Sequence, residues 1–140
     1  MDTDTTGWID PDTEAEAREA YEALEPAART VVRETAKAME FDQSEYETRV
    51  TSEVVETVRD ALFASLLAVT VDSREAFEDW RADYEGEVIE IGSENVDGVV
   101  RHAPGFADEA VVATFHDEAD AAVATLRRQA FGRLYREVVR

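Results

Sequence analysis

Apolar side chains recur every three or four residues through the first half of this chain and every second residue after Gly86, and that change of period divides the fold. Thr13 with Glu16 three residues on predicts a helix start, and Ala17, Ala20, Tyr21 and Leu24 continue it at helical spacing. Pro26 suits the first turn of a second helix that runs to about Phe41 with Val31, Val32, Thr35 and Met39 on its inner stripe. Asp42 with Glu45 opens a short third helix, and Thr51 or Ser52 a fourth whose apolar face widens through Phe63 and Leu67 until it is covered on more than one side. Asp72 with Glu75 starts another, with Phe77, Trp80 and Tyr84 as an aromatic stripe read as core.

Beyond Gly86, Val88 to Ile91, Val96 to His102 and Glu109 to Phe115 alternate as strands. Their short links, a hairpin loop at Gly92 to Asn95 and a Pro-Gly loop at Ala103 to Asp108, predict an antiparallel meander. Asp117 to about Val139 then supplies a long C-terminal helix to cover it. The expected fold is therefore α+β: a helical N-terminal half packed on a three-stranded antiparallel sheet with a long C-terminal helix. Residues 1–12 read as a mobile acidic lead whose Trp8 docks on the body, and residues 13–140 as a single domain.

Charge changes the picture of the solvent more than that of the partner. Asp and Glu number 33 against 14 basic residues, of which only Lys37 is lysine, and the formal charge is -19. Such a surface repels itself in dilute buffer and is relieved at molar salt, where the screening length falls to about 3 Å. Lysine stems expose methylenes that salting-out penalises, so their scarcity points the same way. Acid lies on every predicted helix rather than in one stripe, which argues against a nucleic-acid mimic. With no cysteine there is no disulfide or thiolate metal site, and the acidic N-terminus has no apolar signal region. No apolar run is long enough for a bilayer. A cytoplasmic, salt-adapted protein is the expectation.

Candidate chemistry is sparse. No Gly-x-Ser-x-Gly, phosphate loop or His-Glu-x-x-His spacing occurs, so no catalytic residue, metal site or cofactor is expected. His102 and His116 fall at opposite ends of a predicted hairpin, roughly 23 Å apart at about 3.3 Å per residue, too far to share a metal. His102 lies beside the Pro-Gly loop with Arg101 and Phe106, and these three form the candidate ligand contact. At the C-terminus, Arg133, Arg136 and Arg140 fall on one side of a regular helix as a basic stripe, whose alternative is pairing with acid of the N-terminal helix. Arg127 sits within the apolar arc near Val123, Phe131 and Leu134, a candidate buried charge that either snorkels or holds a carboxylate.

The strings Ala27-Ala28-Arg29-Thr30-Val31-Val32-Arg33-Glu34, Arg59-Asp60-Ala61-Leu62-Phe63-Ala64-Ser65-Leu66-Leu67 and Leu126-Arg127-Arg128-Gln129-Ala130-Phe131-Gly132-Arg133-Leu134-Tyr135 resemble a small haloarchaeal protein family of unknown function. That resemblance implies a salt-accumulating host and no activity, cofactor or catalytic residue. Three functions stay open. The first is a non-enzymatic interaction module with a protein partner or a second copy of itself. The second is a nucleic-acid-associated regulator using the arginine stripe, and the third a small-ligand binder at the His102 loop.

Overall fold

A computed structural model of the chain describes residues 4–92 and 96–140. The helices begin largely where the polar signals place them. Thr13 caps α1 (Glu14–Ala23) by accepting from the Glu16 N–H, Asp42 and Glu45 close a reciprocal capping box on α3 (Gln43–Arg49), and Thr51 caps α4 (Ser52–Ser65). Pro26 lies in the first turn of α2 (Glu25–Ala38), where its missing N–H costs nothing.

The chain is α+β, but its sheet has five strands and is mixed. Its order is β1 (Asp4–Thr6), β2 (Val69–Ser73), β4 (Gly98–His102), β5 (Glu109–Phe115) and β3 (Glu87–Ile91). β3 runs parallel to β5 and all other pairings are antiparallel. This corrects the three-stranded antiparallel meander. Only the β4–β5 hairpin of that plan exists, and β3 does not pair with β4. Of the loop expected between them, Ser93 to Asn95 lie outside the described residues. The physical reason is burial: Ala110 to Ala113 of β5 are covered on both faces, so β5 is a central strand with neighbours on both edges.

β2 replaces a helix start. Val69, Thr70 and Val71 are β-branched and extend directly from the end of α4, so the cap of α5 (Arg74–Asp83) is Ser73, which accepts from the Ala76 N–H. Asp72 stays within the strand. Residues 4–12 also join the body: β1 pairs with β2, the Trp8 and Ile9 N–H groups both donate to the Leu66 carbonyl, and Ala68 N–H donates to Ile9. The anchor is Ile9, 2% exposed, while Trp8 is 66% exposed.

Side chains alternate across the sheet and separate two clusters. Phe77 and Trp80 of α5 pack on Val88, Val99 and Val112 on one face. On the other, Val69, Val100, Val111 and Ala113 meet Tyr21, Phe63, Leu126 and Tyr135 from α1, α4 and the C-terminal helical run. The long C-terminal helix is not regular. α6 (Ala119–Ala130) passes into a π-helical turn, Phe131–Tyr135, and then α7 (Arg136–Val139). In that turn the Arg136 N–H bonds the Phe131 carbonyl, five residues back. Glu118 rather than Asp117 occupies the N-cap of α6, without a side-chain cap bond.

Candidate functional site

His102, at the end of β4, points into the larger core and is 1% exposed. Its Nδ1 lies 2.6 Å from the Ala68 carbonyl oxygen and its Nε2 lies 2.6 Å from the Tyr135 hydroxyl. A carbonyl can only accept, so Nδ1 carries the proton, Nε2 accepts, and the tyrosine O–H donates to it. The imidazole is a neutral link between the end of α4 and the π turn. Burial, reinforced by the nearby Arg127 charge, pushes its pKa down to about 4, against the opposing pull of the Ala68 bond. Burial likewise raises the Tyr135 hydroxyl, with Asp10 adding to it. Phe106 joins the same group, its ring centroid 5.3 Å from that of Tyr135.

Arg101 is one residue away in the strand and therefore on the opposite face. There it ion-pairs with Asp72, itself 2% exposed, and its guanidinium lies 4.6 Å above the centroid of the Trp80 ring. The three residues that the sequence groups as one ligand contact thus divide. His102 and Phe106 share Tyr135, while Arg101 belongs with Asp72 and Trp80 across the sheet. Removing one member of such a buried pair leaves a stranded charge, which costs about 3 to 5 kcal/mol in comparable sites.

Arg127 is partly covered, and burial lowers its pKa. Its Nε donates to the Leu67 carbonyl at 3.1 Å, and among the described residues it forms no ion pair with a carboxylate. It serves as a backbone tie rather than as half of a buried salt bridge. The tie explains Gly7, whose φ is +87° and where a Cβ would fall 2.4 Å from the Leu67 oxygen and 2.8 Å from the Arg127 guanidinium.

The arginine stripe is split by the π turn. Arg133 leans toward the sheet and bonds Glu109 of β5 at 2.9 Å, whereas Arg140 leans toward α4, pairing with Glu56 at 2.9 Å and with Asp60. Their partners are thus on β5 and α4, not on the acidic N-terminal helix. Asp60 also accepts from the Tyr21 hydroxyl, so Arg140 helps to tie α7, α4 and α1 together. Arg128 and Arg136 remain exposed and, among the described residues, make no ion pair. Two clefts, of about 390 and 540 Å³, share both.

His116 is exposed beside a cleft of about 460 Å³ at the ends of β3 and β5. It lies at the opposite end of the β4–β5 hairpin from His102, since Gly98 pairs with Phe115 and His102 with Val111. Among the described residues no group of three or more His, Asp or Glu could hold a metal, and no helix is long and apolar enough to cross a membrane.

Three residues central to this geometry escape the sequence pattern. Tyr135 and Arg128 stand in the sequence only as members of the C-terminal string, and Asp72 only as a helix cap. For Arg128 the cause is the π turn, which rotates everything after it relative to a wheel drawn at 100° per residue.

The most open apolar surface lies elsewhere. Apart from Trp8, every large apolar side chain exposed among the described residues falls between 31 and 54: Val31, Met39, Tyr46 and Val54. They come from α2, α3 and α4, where α2 packs chiefly on α4 and no residue of α3 is buried. The turn from α2 to α3 holds Glu40 at a φ of +57°.

No curated protein and no solved structure matches the chain. Residues 8–136 match a family described only as of unknown function, DUF5809, which takes in all the helices before the last turn, four of the five strands and every side chain discussed above except Gly7 and Arg140; the chain belongs to that family.

Proposed function

We propose that this protein is a non-enzymatic interaction module of a salt-rich cytoplasm, and that it docks a protein partner through the α2–α3–α4 projection. The observation that carries this reading is the exposure of Val31, Met39, Tyr46 and Val54, all within residues 31–54, on a chain of charge -19. A strongly acidic surface does not need exposed methionine and valine to remain soluble, and grouped apolar side chains rimmed by charge are what interfaces are made from. Met39 is 58% exposed at the end of α2, directly before the left-handed Glu40. High salt strengthens apolar burial while screening the charges around it, so docking here would grow stronger in the conditions that the composition suits. The nucleic-acid reading has less support, because Arg133 and Arg140 already hold carboxylates.

The test is the mass and the partner set of the chain in molar potassium chloride, measured by light scattering after gel filtration and by cross-linked co-purification. The parent is expected to associate, with a second copy or with a distinct protein, and Met39→Glu combined with Val54→Glu to lose that association while keeping its melting temperature. Identical masses and identical partners for parent and variant would remove the proposal.

A further inference from the structure

We infer that the cleft between the π turn and the edge of the sheet binds a small phosphate monoester carrying a compact apolar or aromatic body, with Arg128 and Arg136 as its phosphate clamp. A π turn contains one residue more than an α turn, so Arg128 and Arg136, eight apart in sequence, stand as residues seven apart do, within about 20° of one another instead of about 80°. The extra residue therefore brings two guanidiniums onto one line, and both border the same cleft of about 390 Å³.

The two are also the arginines of this region that, among the described residues, pair with no carboxylate, Arg136 lying instead over the Phe131 ring at 5.7 Å from its centroid. Arg133 and Arg140 flank them but are held by Glu109, and by Glu56 and Asp60. Two planar forks with a combined charge of +2 match a phosphate monoester, which carries about -1.5 to -2 at neutral pH and offers three acceptor oxygens. Unpaired positive charge held in one place is conspicuous on a chain of -19, where a nearby carboxylate would otherwise have been easy to supply.

The floor of the cleft sets the rest of the ligand. Ile89 and Ile91, half-buried on β3, give the cleft a small apolar floor over the buried Val111, and at Gly132 a Cβ would meet nothing nearer than the Arg136 guanidinium at 3.9 Å. Inorganic phosphate alone would leave that floor wet. A volume of about 390 Å³ is at the lower end of small-molecule sites, which run from roughly 300 to 1,000 Å³, and suits a mononucleotide-sized body. A polymer fits less well: duplex-binding proteins typically neutralise about six to ten phosphates, and among the described residues this cleft offers two guanidiniums without carboxylates, amid repelling acid.

Calorimetric titration of the full chain, in low salt and in molar potassium chloride, tests this with adenosine monophosphate, phenyl phosphate, adenosine, inorganic phosphate and a single-stranded oligonucleotide. At least one of the two monoesters is expected to bind one to one, more tightly than inorganic phosphate and than adenosine. Arg128→Gln and Arg136→Gln should each weaken it about tenfold or more, the loss of one charge-assisted contact. Arg33→Gln, on α2 and not among the residues lining the cleft, should change affinity much less. Because both clamp residues are exposed, unchanged melting temperatures will show that the variants fold. The inference is overturned if neither monoester binds saturably in either salt, or if binding survives both clamp substitutions. It is equally overturned if the oligonucleotide binds more tightly in proportion to its length.

Discussion

Protonating His102 would place a charge among apolar side chains and turn its Nε2 from the acceptor of the Tyr135 hydroxyl into a second donor facing it. The native state resists this, with a pKa of about 4, whereas an unfolded histidine titrates near 6.5. Between those values the unfolded chain takes up a proton that the folded chain refuses. Stability is thus fully present above about pH 6.5 and falls as the pH drops toward 4, by about 3 kcal/mol if the whole shift is expressed. Carboxylates titrate mostly below about pH 4.5, so the range from about 6.5 to 5 isolates the histidine. Urea unfolding across that range should show the loss in the parent and a much flatter profile in His102→Asn. A parent whose stability does not change there would remove the buried neutral imidazole from the account. Arg101, its neighbour in the strand, shows why residue chemistry was only half legible: an unusual string in the sequence does not say that alternate positions of a strand face different clusters.

At the scale of elements, the end of α2 is closed by a Schellman motif. The Phe41 N–H bonds the Ala36 carbonyl and the Glu40 N–H bonds that of Lys37. The left-handed position of this motif usually holds glycine, and here it holds Glu40. A side chain in that conformation costs about 1 to 2 kcal/mol, part of which glycine gives back through the greater freedom of its unfolded state. Glu40→Gly should therefore raise stability by about 1 kcal/mol, visible as a higher melting temperature. A decrease would mean that the Glu40 side chain makes a stabilising interaction outweighing its strain. Capping residues were the most readable part of the sequence, because Thr13, Asp42 and Thr51 act on N–H groups only three residues away. Strand order was not readable, since the parallel seating of β3 beside β5 depends on partners some twenty residues distant. β1 has three polar residues and no apolar alternation to announce it, and the π turn leaves the helical period intact on either side of itself.

For the whole molecule the dominant quantity is the net charge of -19. Few of its acids are neutralised: the ion pairs found among the described residues engage arginines and Lys37 largely at the surface, where each contributes about 0 to 1 kcal/mol. Repulsion among the rest is long-ranged in dilute buffer and short-ranged in molar salt. The melting temperature is therefore expected to rise steadily from low to molar potassium chloride, with the steepest gain at the dilute end where screening changes fastest. A flat or falling curve would show that this charge does not govern stability, and would detach the composition from any salt-rich habitat. The same screening sets the terms on which the helical projection and the arginine-lined cleft could work, favouring apolar contact and direct pairing over long-range attraction.

β1 is only three residues long and bears Asp4, and β3 carries the exposed Glu87, so each exposed rim is short or carries a charge. Unpaired strand rims are where copies of a protein add to one another into fibrils, and salting-out increases that hazard. β1 in particular shields Val69, Thr70 and Val71, a β-branched stretch of the kind that templates such growth. A chain nicked just before Gly7 would keep nearly all of its core, yet it would bare this strand and become a seed of aggregation.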